Sequence, residues 1–172
     1  MFETTDVFSL SDSELVSPAN SEMARLRMQA RDKAIGLLAR REHSRFELKH
    51  KLSRFEEDLD IDALIDDLVD LDLQSDSRYA GMLVRSKAMS GYGLARINQW
   101  AKQNGVANDE LSLAVEELDH DWFEAALLQR QKHFGFAAPA SMQDKAKQMR
   151  YLYNRGFNQD QIHYAVDADQ QD

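Results

Sequence analysis

The sequence predicts an all-α protein in which three tandem three-helix repeats form an elongated curved array. Three observations support this prediction. Strong helix formers are frequent, whereas the 172 residues include only 7 glycines and 2 prolines. From Ala24 onward, apolar residues recur with the spacing i, i+3, i+4 and i+7, which is typical of amphipathic helices. Similar segments also recur about every fifty residues, which indicates a repeat array.

Residues 1–22 are rich in Ser, Thr and Asp and show no sustained period, so we expect a mobile N-terminal tail with one short turn near Ser11–Val16. The tail is acidic and lacks the basic stretch and apolar run of a signal peptide. No apolar stretch approaches the roughly 18 residues that suggest a membrane span. The chain also has no cysteine, which suits a reducing compartment. We therefore expect a cytoplasmic protein that does not contact membranes.

The first repeat is expected over residues 23–73. Its first helix is predicted at about Ala24–Arg41. The second begins at Ser44, which forms a capping box with Glu47, since a serine hydroxyl and a glutamate three residues later can satisfy each other's backbone amides. The third helix is predicted at Ile61–Leu71, where apolar residues follow helical spacing.

The second repeat is expected over residues 74–120. Its helices are predicted at Asp76–Ser90, Leu94–Gln103 and Asn108–Leu118. The sequence Gly91-Tyr92-Gly93 reads as a tight turn that lets two helices approach closely. Asn104-Gly105 ends the second helix in a left-handed cap. Trp100 is expected in the core. Tyr92, beside two glycines in the turn, is the aromatic residue that best suits an exposed contact position, and packing is the equal alternative.

The third repeat is expected over residues 121–172 and includes a short C-terminal tail. Asp121 is predicted to cap a helix that ends near Phe134. Ser141 begins a capping-box candidate ahead of a helix that ends at Arg155-Gly156. The last helix is predicted at Asn158–Val166.

The repeats can be aligned through their third helices. Leu111, Ala114 and Val115 follow Gly105 at the offsets at which Ile162, Ala165 and Val166 follow Gly156. Such arrays bury a core between neighbouring units and present an elongated, often concave surface. The alternative is an irregular single-core bundle with chance similarity.

Charges are segregated along the chain, whose net charge is -9. All 21 Lys and Arg residues fall on first or second helices or at their ends. Residues 56–76 carry ten carboxylates and residues 109–124 carry seven, without a cation, whereas residues 77–108 carry no carboxylate. Stacked repeats are therefore expected to present a basic edge and an acidic edge. Helix-dipole preferences and ordinary solvation account for part of this pattern.

Enzymatic chemistry has little support in the sequence. No nucleotide-binding glycine pattern or nucleophile elbow occurs. The pairs His43/Glu47 and Glu116/His120 could share a metal ion, but they read more simply as surface helix partners. A helix-turn-helix interpretation would place acidic third helices against DNA phosphates, so base-specific duplex recognition is not expected. We therefore expect no catalytic residue, no metal and no cofactor.

Four segments resemble the RecX family of regulators of the RecA recombinase. Residues 38–52, LARREHSRFELKHKL, are similar to the family's opening Leu-x-Arg-Arg-x-x-Ser-x-x-Glu-Leu pattern. Asp76-Ser-Arg-Tyr-Ala80 resembles the start of its second unit. Gly91-Tyr-Gly-Leu-Ala-Arg-Ile97 resembles its glycine pair before Arg-Ile, and Tyr151-Leu-Tyr-Asn-Arg-Gly-Phe157 resembles its closing pattern. The order and spacing agree over about residues 30–166.

The resemblance implies a non-enzymatic protein that lodges in the groove of the RecA–DNA filament. There it would suppress ATP hydrolysis, co-protease activity and strand exchange, and so regulate DNA repair, recombination and the SOS response. We expect a monomer with at most weak nonspecific contact to free DNA. The expected filament-facing edge consists of Arg40, Arg41, Arg85, Lys87, Arg96, Lys145, Lys147 and Arg150. The alternative is an acidic scaffold or DNA mimic that uses the third helices to occupy a basic cleft on another protein.

Overall fold

A computed structural model describes residues 18–168 of the chain. Within these residues the chain forms nine α-helices, one 3-10 turn at Ser53–Phe55 and no strand. The helices are α1 Pro18–Leu38, α2 Arg45–Leu52, α3 Ile61–Asp70, α4 Asp76–Met89, α5 Leu94–Gln103, α6 Asn108–Leu118, α7 Trp122–Phe134, α8 Met142–Arg155 and α9 Gln159–Asp167. The predicted turn near Ser11–Val16, with the rest of residues 1–17, lies outside the described residues, as do residues 169–172.

The helices form three units, α1–α3, α4–α6 and α7–α9, and each unit has its own hydrophobic core. Unit 1 buries Leu48, Leu52, Ile65 and Leu68 completely. Unit 2 is centred on Val84, Ile97 and Ala101, and unit 3 on Ala126, Leu152 and Val166. These separate cores confirm the predicted all-α class and its three-helix units. The core expected between neighbouring units lies instead within each unit, because the three helices of a unit turn their apolar faces toward one another.

Helix α1 begins six residues before the predicted start and ends three residues before the predicted end. Its first residue is Pro18. Proline is tolerated at the first helical position because the amide hydrogen that it lacks would have no partner inside the helix. Residues 18–22, which the sequence assigned to the tail, therefore belong to the first turns of α1.

Predicted N-caps are present at Asp121 and Ser141. The Asp121 carboxylate accepts from the amides of Phe123 and Glu124, each at 3.0 Å, and the Ser141 hydroxyl accepts from the amide of Asp144 at 3.1 Å. These bonds satisfy amides at the start of a helix, which have no partner within it.

The capping box predicted at Ser44 is only half formed. The Ser44 hydroxyl accepts from the amide of Glu47 at 3.1 Å. The Glu47 carboxylate does not reach back to Ser44. It instead accepts hydrogen bonds from Arg41 and Tyr79 and contacts the His43 ring. These contacts of the Glu47 carboxylate replace the hydrogen bond from the Ser44 amide that a complete capping box would have.

The two glycines of the predicted tight turn bring units 2 and 3 together. The amide of Gly93 donates to the carbonyl of Arg155 at 2.9 Å, and the amide of Ala95 donates to the carbonyl of Gly156 at 3.1 Å. A Cβ atom at Gly93 would overlap the Gly156 carbonyl, and one at Gly91 would overlap the side chain of Gln129. The prediction of a close helix approach at this turn is confirmed.

Units 1 and 2 meet in an analogous way. The turn between α5 and α6 holds Gly105 in the left-handed region, at φ 73°. A Cβ atom there would lie 2.9 Å from the Cβ of Phe46, which begins α2 of the preceding unit. In both junctions the turn after a unit's second helix therefore abuts the start of the preceding unit's second helix. Phe46 packs against this turn on one side only and remains 56 % exposed.

No helix within residues 18–168 combines the length and the hydropathy needed to cross a membrane.

Candidate interaction surface

One face of unit 2 combines cations with aromatic rings. The Nζ of Lys87 lies 4.7 Å from the centre of the Trp100 ring, and the guanidinium carbon of Arg96 lies 5.2 Å from it. Tyr92 meets Trp100 edge-on, with ring centres 4.8 Å apart, and the Arg155 guanidinium lies 4.7 Å from the Tyr92 ring. We call Lys87, Tyr92, Arg96, Trp100 and Arg155 the basic–aromatic surface. Cation–π contacts hold such cations against rings without neutralising their charge.

The segment that carries Lys87, Tyr92, Arg96 and Trp100 lacks acidic residues that could neutralise its cations. Residues 77–108 contain no carboxylate. Lys87 and Arg96 form no ion pair with any residue in 18–168. By contrast, Arg78 of the same unit pairs with Glu42 at 2.9 Å and with Asp72 at 2.6 Å. The cations of the basic–aromatic surface therefore remain available to an anionic partner.

Lys87 and Arg96 were predicted on a contact edge, whereas Trp100 was predicted in the core and Tyr92 either as a contact residue or as packed. Tyr92 and Trp100 are half-buried and pack against the unit 2 core. The spacing of Arg96 and Trp100, four residues apart on α5, is the signal that could have revealed the contact, because such residues are neighbours on a helix. Arg155 comes from unit 3, and only the fold places it here.

A groove of about 340 Å³ lies beside this surface, at the junction of units 1 and 2. It is lined by residues that include Arg41, Glu47, Tyr79, Lys87 and Trp100. The structure therefore brings Arg41 and Lys87, two of the predicted contact residues, to one groove. Arg41 is also held by Glu47, at 2.9 Å.

Burial and hydrogen bonding shift three pKa values at this junction. Burial lowers the pKa of His43 below 6.5, although the neighbouring Glu47, 2.8 Å away, opposes the shift. Burial alone would raise the pKa of Glu47, but hydrogen bonds from Arg41 and His43 outweigh it and hold that pKa below its usual range. Burial, together with the Glu47 charge, raises the pKa of Tyr79 to about 12.

The shift at His43 predicts a loss of stability on mild acidification. The pKa of His43 is lower in the folded than in the unfolded chain. The contribution of the neutral His43 ring to the free energy of unfolding is therefore complete above pH 6.5 and is lost as the pH falls below that value. When urea unfolding is measured at about pH 7.5 and at about pH 5.5, the decrease in the free energy of unfolding should be smaller for His43→Gln than for the natural protein. His50→Gln, which changes an exposed histidine of α2, should keep the full decrease in the free energy of unfolding. An equal decrease in all three proteins would contradict the assignment to His43.

The other predicted contact residues fall into separate places. Lys145 pairs with Asp167 at 2.6 Å, and Lys147 lies 5.9 Å from the Phe134 ring. Lys147 and Arg150 line one depression along α8. Arg40 and Arg85 are exposed, with no ion pair to another residue in 18–168.

The acidic residues of α3 are engaged with cations of their own unit. Three ion pairs link α3 to α1 and α2: Arg27–Asp67 at 2.7 Å, Arg45–Asp66 at 2.7 Å and Lys49–Asp62 at 2.6 Å. The predicted separation into a basic and an acidic edge is therefore wrong for unit 1, because adjacent helices bring the two charge blocks into contact. In unit 2, Arg78 is paired, but Lys87 and Arg96 form no ion pair with any residue in 18–168.

Among residues 18–168, no three His, Cys, Asp or Glu side chains are grouped so that they could hold a metal ion. His43 is in the Glu47 network, and the ring of His120 meets Trp122 edge-on, with ring centres 4.7 Å apart.

Comparison with known proteins gives a consistent result along the chain. Three family models match in order: the RecX first three-helix domain at residues 30–68, the second at 75–114 and the third at 119–166. The chain is 37 % identical over 146 residues to the regulatory protein RecX of Vibrio campbellii, covering 84 % of this chain and 94 % of that protein. It is 40 % identical over 130 residues to the regulatory protein RecX of Pseudomonas fluorescens, covering 75 % of this chain and 84 % of that protein.

Two solved structures share the fold. The crystal structure of RecX from Lactobacillus salivarius matches with a TM-score of 0.68 and 22 % identity, over 84 % of this chain and 97 % of that chain. A crystal structure of regulatory protein RecX matches with a TM-score of 0.70 and 18 % identity, over 92 % of this chain and 82 % of that chain. At these identities the structural match bears on the fold alone.

Proposed function

Because the chain belongs to the RecX family, we propose that it binds the RecA–DNA filament and inhibits the recombinase, ATPase and co-protease activities of RecA. The relatives are named regulatory proteins, in keeping with a role that needs no catalysis. The proposed regulator acts as a monomer in the cytoplasm, where it limits DNA repair, recombination and the SOS response.

The basic–aromatic surface is the observation that carries this proposal. It presents several cations without a neutralising carboxylate in a chain whose net charge is -9. A local positive surface on an acidic protein favours docking where anionic and cationic groups lie side by side, as they do on a protein–DNA filament. The proposed contact edge keeps all eight predicted cations, with Lys87 and Arg96 at its centre.

Charge reversal of the unit 2 cations tests the proposal. In the variant Arg85→Glu/Lys87→Glu/Arg96→Glu, the concentration that half-inhibits RecA ATP hydrolysis on single-stranded DNA should rise about tenfold or more, because three attractive contacts become repulsive. Inhibition by the natural protein should also weaken between about 50 and 200 mM salt, as expected for contacts to a polyanionic assembly.

A matched control distinguishes the effect of this surface on inhibition from the effect of a change in net charge. Arg25→Glu/Arg31→Glu/Lys132→Glu makes the same charge change at exposed residues of α1 and α7. It should inhibit RecA like the natural protein, and circular dichroism should show the same helix content in all three proteins. Equal inhibition by the two triple variants would contradict the assignment of the contact surface to unit 2. Absence of inhibition by the natural protein would contradict the proposed function.

The DNA-mimic alternative predicts the opposite dependence. Under it, Asp62→Asn/Asp66→Asn/Asp67→Asn/Asp70→Asn should abolish binding. We expect this variant to retain inhibition, because three of its four carboxylates already pair with cations of the same unit.

A further inference from the structure

A second groove lies on unit 2, between α5 and α6, and has a volume of about 520 Å³. Leu111 forms its buried apolar floor, while Leu94 and Val115 are half-buried beside it. Lys102 and Glu116 also line the groove and are exposed. An apolar floor with a few charged groups at its margin is the usual make-up of a site that receives another side chain.

The groove is a feature of the repeat, since unit 3 has its counterpart. A smaller groove of about 210 Å³ lies between α8 and α9. Its lining residues include Met149, Tyr153, Ile162 and His163, which follow Asn98, Lys102, Leu111 and Ser112 of the unit 2 groove at a constant interval of 51 residues. The two grooves therefore occupy equivalent places, and the one in unit 2 is the larger.

An ion pair distinguishes the two grooves. Lys145 and Asp167 lie eleven residues before and after Gly156, and their side chains meet at 2.6 Å. The residues eleven before and after Gly105 are Leu94 and Glu116. Unit 2 thus has the carboxylate of the bridge but a leucine in place of the cation.

Unit 1, like unit 3, has ion pairs between its second and third helices. Arg45–Asp66 at 2.7 Å and Lys49–Asp62 at 2.6 Å join its second and third helices. Two of the three units therefore link these helices by a cation and a carboxylate. In unit 2, Glu116 forms no ion pair with any residue in 18–168.

We infer that the α5–α6 groove docks a segment of the partner protein in which an apolar side chain lies beside a lysine or arginine. The apolar side chain covers Leu94, Leu111 and Val115, and the cation pairs with Glu116, supplying in trans the charge that the other two units supply themselves. The apolar floor and the Glu116 carboxylate favour a protein segment over a phosphate backbone, which only Lys102 of the groove lining would attract.

The groove and the basic–aromatic surface can be occupied together. Residues 94, 98 and 102 of α5 line the groove, whereas Arg96 and Trp100 lie on the other surface. With about 100° between successive helical residues, Asn98 and Trp100 point roughly 160° apart. The regulator could therefore bind the DNA-bearing side of a filament with one face of α5 and a RecA segment with the other.

The test rests on the proposed function, since it uses the RecA filament on single-stranded DNA as the probe. In Leu94→Lys, the introduced ammonium can pair with Glu116 as Lys145 pairs with Asp167, and it covers the apolar floor. The full-length variant should bind the filament about tenfold more weakly than the natural protein, while its urea unfolding midpoint stays equal or rises. Leu113→Lys is the matched control, because Leu113 lies on α6 outside the groove lining and is 58 % exposed. It should bind like the natural protein.

The outcomes separate the two proposals. Equal binding by Leu94→Lys and the natural protein overturns the docking groove alone, as does equal weakening in Leu94→Lys and Leu113→Lys. Absence of binding by the natural protein overturns the proposed function and the docking groove together. A photoreactive residue at Ser112, which lines the groove, should crosslink to a RecA peptide that contains Lys or Arg beside an apolar residue. Crosslinks only to DNA, or to peptides without a cation, overturn the inferred chemistry.

Discussion

Replacing Gly93 with alanine is expected to lower the free energy of unfolding by about 3 kcal/mol, at the upper end of the cost of overpacking a filled interior. The added Cβ would overlap the carbonyl of Gly156 and the amide nitrogen of Phe157. Both are backbone atoms, so no side chain can rotate away. Relief requires that units 2 and 3 separate, which stretches the hydrogen bond from Gly93 to Arg155 and the one from Ala95 to Gly156.

The same substitution at Gly81 should have the opposite effect. Gly81 lies within α4, and a Cβ atom there would meet nothing within 4 Å. Alanine is the better helix former, so Gly81→Ala should raise the free energy of unfolding by about 0.5–1 kcal/mol. Urea unfolding of both variants, followed by circular dichroism, measures the contrast. A Gly93→Ala protein as stable as Gly81→Ala would show that the two units do not meet at this turn.

Replacing Arg130 with methionine is also expected to cost about 3 kcal/mol, because the buried Gln148 side chain and the part-buried Ala137 carbonyl would lose their donor. Arg130 is fully buried in unit 3. Its Nε donates to the Gln148 side chain at 2.9 Å and another guanidinium nitrogen donates to the carbonyl of Ala137 at 2.7 Å. The guanidinium thus ties α7 to α8 and to the loop between them.

Two further variants test whether the planar guanidinium of Arg130, rather than its charge, provides this stability. Lys132→Met removes an exposed cation from the same helix and should change the free energy of unfolding by less than about 0.5 kcal/mol. Arg130→Lys keeps the charge but lacks donors fixed in several directions. Its loss in the free energy of unfolding should therefore lie between those of Arg130→Met and Lys132→Met. If Arg130→Lys is as stable as the natural protein, the charge alone suffices and the hydrogen-bond explanation is wrong.

Part of the candidate surface was visible in the sequence. The absence of carboxylates from residues 77–108 indicated that cations there lack acidic partners close in sequence. Lys87 and Arg96 were named because cations cluster on first and second helices, and both lie against Trp100. The segregation of charge along the chain did not predict charge in space, since Asp62 and Asp66 meet the cations of α2. Helices that pack side by side neutralise blocks that are well separated in sequence.

The sequence alone determined the helices, their caps and their grouping into three units, because apolar spacing, N-cap residues and helix-ending glycines act over a few residues. The tertiary structure decided which residues meet across units. It placed Arg155 over Tyr92, brought the Glu47 carboxylate to Arg41, His43 and Tyr79, and set Gly93 against Gly156. It also left Glu116 without the cation that its counterpart Asp167 has. Such contacts depend on how one unit is oriented on the next, and short-range periodicity carries no information about that orientation.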